Sequence, residues 1–250
     1  MGFRIAIPAR YASERLPGKV LAPLAGRPLL AHVCDRARES GASEIWLTSD
    51  DERVLDAASA LTGVRLFKSA SEHRSGSDRV AELARAQAWP ADNVVVNLQG
   101  DEPFMPGALV AQTGEALLDD PAADIATACC GIHDASEYAN TNAVKVVRDD
   151  AGYALYFSRA AIPHERAGTG CVPAAGAWRH LGIYAYRVAS LLRFADAAVH
   201  PLEQSESLEQ LRALALGMRI RVVEAATLPG PGIDTSEDLE WARRLLERKS

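Results

Sequence analysis

Residues 93–103 read NVVVNLQGDEP, and their reading decides the fold. Val94 to Val96, with Leu98 beyond, form an apolar run that stops abruptly at Gln99, Gly100, Asp101 and Glu102. A run of that length, apolar and valine-rich, is a strand buried inside a sheet. Segments of the same kind precede it. FRIAIPA (3–9), SEIWLTSD (43–50) and VRLF (64–67) read as strands, separated by stretches of helical period. In PLLAHVCDRARESG (28–41), Leu30, Val33 and Ala37 share one face, Pro28 stands at the start and Gly41 at the stop. Further helices are expected around 52–61 and over SDRVAELARAQA (77–88). Strand–helix alternation of this kind predicts right-handed βαβ units, hence an α/β fold with a doubly wound, mostly parallel sheet. Ligands of such sheets bind at the carboxyl ends of strands. The acids after Leu98 lie at one such end, and the loop after FRIAIPA lies at another.

Downstream the pattern changes. AVKVVRDDAGYALYFSRAAIP (143–163) has strand character on both sides of a DDAG turn and reads as a hairpin. Residues 164–178, rich in Gly, Ala and Pro, read as a long loop, and WRHLGIYAYR (178–187) resumes strand character. Helices are expected near 188–197 and 206–216. The chain is thus one domain, 1–250, carrying a β-rich insertion at about 140–205. DTSEDLEWARRLLERK (234–249) opens a last helix, with Thr235 as N-cap and Asp238 completing a capping box.

Composition narrows the function classes. The chain has 250 residues, 48% hydrophobic and 24% charged, with a net charge of -6, which argues against broad nucleic-acid binding. The first 27 residues run the other way, with Arg4, Arg10, Arg15, Lys19 and Arg27 against Glu14 alone. A cationic segment in an acidic protein points to a confined anion site. The four cysteines, Cys34, Cys129, Cys130 and Cys171, show no metal-ligand spacing. With neither a signal peptide nor a stretch of membrane-spanning length, the protein reads as cytoplasmic with no membrane partner.

Two motifs carry chemistry. IPARYASERLPGK (7–19) places Arg10, Arg15 and Lys19 in one loop, with Gly18 to bring backbone amides close. It is not a P-loop, because Val20 follows Lys19, and a solvated basic loop is the competing reading. Asp101, after a buried strand and a glycine, suits a hard divalent cation, or else it and Glu102 cap the helix expected near Pro106. Asp234 at the last strand-to-helix junction could join it or serve only the turn. His180 beside Arg179 could meet a substrate carboxylate or hydroxyl. No G-x-S-x-G elbow supports a hydrolase triad.

Taken together, these segments resemble the 3-deoxy-manno-octulosonate (KDO) cytidylyltransferases, the CMP-KDO synthetase family. IPARYASERLPGK, VNLQGDEP, NAVKVV with GYALYFSRAAIP, RHLGIYAYR, LEQLR and GIDTSEDLE occur in that order along nearly the whole chain. The resemblance implies a Rossmann-like nucleotidyltransferase, homodimeric and magnesium-dependent, transferring CMP from CTP to the 2-hydroxyl of KDO for lipopolysaccharide synthesis. By position it implies Arg10, Arg15 and Lys19 on the triphosphate, and Arg79 and Gln99 holding the nucleotide. Pro8 and Ala9 would offer backbone to cytosine. Asp101 and Asp234 would coordinate Mg2+, and Arg159, His180, Glu209 and Gln210 would bind the sugar acid. Two stretches depart from the family: HERAGTGCVPAAG (164–176), and Gln204–Ser205 ahead of LEQLR. The alternatives are a cytidylyltransferase for sialic acid or 8-amino-KDO, a uridylyl- or guanylyltransferase, and a non-catalytic nucleotide-sugar sensor.

Overall fold

The computed structural model describes residues 2–247 apart from 14, 72, 74, 167–171 and 174–175. Glu14, Cys171 and much of the loop expected over 164–178 therefore lie outside the described residues. The first half alternates as the sequence predicts. In order come β1 (Arg4–Pro8), a short β2–β3 ribbon (Pro23–Leu24, Arg27–Pro28), α1 (Leu29–Glu39) and β4 (Glu44–Ser49). Then follow α2 (Glu52–Ser59), β5 (Arg65–Lys68), α3 (Gly76–Ala86), β6 (Val94–Asn97) and α4 (Gly107–Leu118). The second half contains β7 (Ile125–Ile132), α5 (Ala135–Ala139), β8 (Lys145–Arg148), β9 (Ala154–Ser158) and β10 (Ala177–Arg187). It ends with α6 (Val188–Asp196), α7 (Pro201–Glu206), α8 (Gln210–Ala215), β11 (Ile220–Glu224) and α9 (Ser236–Glu247).

Strands run β11-β7-β10-β6-β1-β4-β5 across the main sheet. All neighbours are parallel except those of β10, which opposes both β6 and β7. Burial on two faces explains the valine run of β6. Val94, Val96 and Leu98 pack with α1, α4 and α9, whereas Val95 packs with α3, α6 and α8 on the other side. Leu30, Val33 and Ala37 of α1 are all buried, and Gly41 ends that helix with φ 73°.

The expected hairpin is β8–β9, turning through residues 149–152 with Gly152 at φ 81°. It extends the same sheet, because β10 pairs with β8 through Trp178 and Arg179 and with β6 through Tyr184 to Arg187. On its other edge, against β7, the register of β10 shifts between Leu181 and Tyr184. The helix expected over 206–216 forms only over Gln210–Ala215, as α8, while Glu206 ends a separate helix, α7, that the sequence did not announce. Ser207 adopts the left-handed conformation, φ 52°, and separates α7 from α8. Thr235 and Asp238 form the expected capping box: each accepts a hydrogen bond from the other's main-chain N–H.

Candidate functional site

Loops after β1, β4 and β6 meet at the carboxyl edge of the sheet. Ala9 N–H donates to Thr48 O, Leu98 N–H to Ala6 O, and Gly100 N–H to Pro8 O. Gly100 is required for that approach: a Cβ there would lie 2.9 Å from Pro8 O and 3.2 Å from Ala9 Cα. The cationic loop is anchored at its base, where Gly18, φ 71°, donates to Tyr11 O at 2.8 Å. Arg53, held by both oxygens of Asp51, stacks on the Tyr11 ring at 3.5 Å. A 3-10 turn over Lys19–Leu21 then aims Lys19 inward.

Lys19 joins the two acids that lie far apart in sequence. Its Nζ donates to Asp101 Oδ2 at 2.5 Å, Asp234 Oδ1 at 2.9 Å and Ile233 O at 3.2 Å. Burial opposes its charge, but the two carboxylates outweigh burial and hold its pKa above the usual lysine value. Arg15 pairs with the other oxygen of Asp234 at 2.8 Å. Asp101 does not cap α4, whose N-cap is Pro106. Glu102 lies deeper, and burial reinforced by Asp101 and Asp234 pushes its pKa up to about 8.

Pro8, Arg10, Lys19, Gly76, Gln99 and Asp101 are among the lining of a cavity of about 310 Å³. Arg10 belongs to that lining, and its Nη2 is buried without a hydrogen-bond partner among the described residues. Arg79 is placed differently from a surface contact. It is 1% exposed, paired with Asp50 at 2.9 Å and bonded to Ser69. Burial lowers its pKa against the support of Asp50, and nearby Arg10 lowers it further. Gln99 Nε2 donates to Asn97 Oδ1 at 3.3 Å, and Gly76 leaves its amide room, since a Cβ would sit 3.1 Å away.

A second cavity of about 310 Å³ adjoins the first and shares Gly76, Gln99 and Glu209 with it. Asn97, Tyr184 and Gln210 are among its other polar lining residues. Burial raises the pKa of Glu209 despite Arg212 and a hydrogen bond with Ser75, the N-cap of α3. His180 lies next to this cavity, its ring 5.3 Å from that of Tyr184 and 5.0 Å from Phe157, with Nε2 2.9 Å from Thr127 Oγ1. It is among the lining of another cavity, of about 330 Å³, with Glu102 and Arg179, yet burial pushes its pKa down to about 3, leaving it neutral. Arg159 lines neither of the adjoining cavities; its guanidinium donates to the main-chain oxygens of Glu206, Thr141 and Ser207. Sequence reasoning missed Asp50, Glu102, Asn97 and Tyr184. An acid following strand β4 was the one signal that could have found Asp50.

Residues 5–220 match the family model described as Cytidylyltransferase. A 3-deoxy-manno-octulosonate cytidylyltransferase of Nitrosococcus oceani is 46% identical over 98% of this chain and 97% of its own. The chain belongs to this family. A second member, from Alkalilimnicola ehrlichii, is 49% identical over 98% of this chain and 96% of its own. The solved structure of CMP:2-keto-3-deoxy-manno-octonic acid synthetase complexed with CTP superposes with a TM-score of 0.91, at 40% identity and full coverage of both chains. A cytidylyltransferase from Leptospira borgpetersenii shares the fold, with a TM-score of 0.63 at 17% identity over 99% of this chain and 87% of its own. The protein is accordingly a nucleotidyltransferase of the CMP-KDO synthetase family.

Proposed function

We propose that the protein transfers CMP from CTP to the 2-hydroxyl of 3-deoxy-manno-octulosonate, releasing pyrophosphate, with the nucleotide in the cationic cavity and the sugar acid in the adjoining one. The observation that carries this reading is the full-length match to a synthetase complexed with CTP, in a chain whose corresponding sheet edge holds Arg10, Lys19 and Asp101. The acceptor oxygen forms a bond to the α-phosphorus as the bond to the pyrophosphate oxygen breaks. Such a transition state is anionic, so positioning and charge neutralisation dominate. Arg10, in the cavity wall, supplies its guanidinium charge to a phosphate, and Lys19 is the cation that bridges the two acids. Gln99 and the Pro8–Ala9 backbone hold the base side, with Arg79 supporting the wall from within. Arg159, His180, Glu209 and Gln210 form the acceptor side, of which Glu209 and Gln210 line the second cavity.

Asp101 and Asp234 suit a divalent cation, because both point an oxygen at one atom, the Lys19 ammonium. Among the described residues no group of three or more His, Cys, Asp and Glu side chains is arranged to hold a metal. Mg2+ fits that setting, since it uses one or two carboxylates and completes its shell with water and substrate phosphates. Bound there, it would lower the pKa of the attacking hydroxyl and neutralise phosphate charge. The segment at about 140–205 serves the sugar side and the contact of a cytoplasmic homodimer. No helix among the described residues is long and apolar enough to cross a membrane.

Pyrophosphate release with CTP or UTP, each paired with octulosonate or sialic acid, with and without Mg2+, tests the reading. Release is expected only with CTP, octulosonate and Mg2+ together. Silence with that combination, or release with sialic acid in its place, would overturn it.

A further inference from the structure

We propose that Glu206 is a positioning residue for the acceptor side, latching the turn that carries Glu209 and Gln210 onto the end of the β8–β9 hairpin. The inference rests on the transfer reading above. Glu206 ends α7, and both oxygens of its carboxylate are engaged. Oε1 accepts from Ser158 Oγ at 2.6 Å, and Oε2 accepts from Arg159 N–H at 2.8 Å. The link is reciprocal, because Arg159 Nε donates back to Glu206 O at 2.6 Å, and Nη2 reaches Ser207 O at 3.4 Å. Charge-assisted bonds to a carboxylate are stronger than neutral ones, and here two of them converge on one group.

The hairpin end is itself held from its other side. Lys145, 0% exposed, donates to the carbonyls of Arg159, Asn140 and Ala143 at 2.7, 2.8 and 2.6 Å. Residue 206 is therefore bolted to a rigid strand end rather than to a loose loop. Past the latch, Ser207 takes the left-handed conformation that non-glycine residues adopt only when their surroundings impose it. Leu208 is then buried, and Glu209 and Gln210 enter the wall of the second cavity. The ion pair between Glu203 and Arg212, 2.9 Å, ties α7 to α8, and Leu208, Leu211 and Ala213 bury α8 in the same core as Phe157 of β9. At the hairpin end the Glu206 latch adds a charged, directional link to that packing, through Ser158 and Arg159. Glu206 lines neither cavity, so its effect passes through Glu209 and Gln210.

The experiment compares the full chain with Glu206→Ala, Glu206→Gln and Ser158→Ala, reading KM for octulosonate, kcat, CTP affinity by calorimetry, and amide exchange over 207–212. Glu206→Ala is expected to raise the acceptor KM about tenfold, with CTP affinity within about twofold. Glu206→Gln keeps an oxygen for the Arg159 amide and recovers most of the loss, and Ser158→Ala gives a smaller effect of the same kind, about threefold. Exchange over 207–212 is expected to rise about tenfold in Glu206→Ala. Unchanged exchange, or acceptor KM and CTP affinity moving together, overturns the latch. Should Glu206→Ala fail to fold, Ser158→Ala decides by the same two readouts. A wild-type protein that transfers no CMP to octulosonate overturns the transfer reading instead, and the exchange data still decide the latch.

Discussion

Lys19 shows what a single side chain contributes to this site. It is 8% exposed, and its ammonium holds two acids that are 30% and 47% exposed. Water can therefore solvate both carboxylates if the cation is removed, which keeps the cost below the about 3–5 kcal/mol of breaking a fully buried pair. The loss to catalysis should be larger, because a preorganised charge aimed at a transition-state anion accounts for about 10²–10³ in rate. Lys19→Met is expected to fold and to lose turnover by that order, measured by pyrophosphate release alongside thermal unfolding. His180 gives a different prediction at the same scale. Its folded pKa of about 3 lies below the ordinary value of 6.5, so the unfolded chain takes up a proton first as pH falls. Stability should decline from pH 6.5 downward, with no contribution above it. In His180→Phe, Thr127 Oγ1 still donates to Ile183 O at 2.7 Å, so the variant tests the ring and not an orphaned hydroxyl. Urea unfolding at pH 7.5 and 5.5 should show a smaller difference in the variant, and an equal one would contradict the assignment. Lys19, Asp101 and Asp234 were legible in sequence because each sits in a short motif in a segment that follows a strand. Asp50 and Glu206 were not, because their partners Arg79 and Arg159 lie 29 and 47 residues away and no local spacing links them.

Elements inherit their geometry from such contacts, and α7 and α8 show where periodicity fails. Residues 206–216 carry a helical pattern, yet the chain breaks at Ser207, where the Glu206 latch imposes a turn. The start of α7 was equally hidden. His200 rather than Ser or Asp accepts from the helix amides, and Glu203 answers to the His200 N–H at 3.3 Å, a capping box with an unusual first member. Helices α1 and α3 and strand β6 were readable because burial, caps and period agree there. The junction of β6 with β1 carries the prediction at this scale. Gly100→Ala would place a methyl 2.9 Å from Pro8 O, tighter than backbone tolerates, so the loop after β6 must move away from β1. That movement separates Asp101 from Lys19 while the β6 core stays packed. CTP affinity measured by calorimetry should fall by about tenfold, or about 1.4 kcal/mol, with a smaller change in unfolding midpoint. Equal affinity in the variant would mean that the close approach is not needed for the site.

At the scale of the whole molecule, β10 makes one cooperative body from two functional halves. Its last four residues pair with β6, where Asn97, Tyr184 and Tyr186 line the second cavity, and Trp178 and Arg179 pair with the hairpin. The parallel half was legible from strand–helix alternation. The continuity of the hairpin with the main sheet was not, because a bulged antiparallel strand announces neither of its partners. A ligand held at the carboxyl edge of this single sheet should stabilise all of it. Ligand at one hundred times its dissociation constant contributes about 2.7 kcal/mol to the folded state. For a chain of this size, each kcal/mol moves the melting temperature by about 2–4 °C, so CTP should raise it by about 5–11 °C. UTP at the same concentration should do little, if the Pro8–Ala9 backbone reads the cytosine edge. The melt should remain one transition with and without CTP, because the hairpin cannot detach without opening the β10 ladder. Two transitions, only one of them shifted by CTP, would show that the acceptor side unfolds by itself and that β10 does not couple the halves.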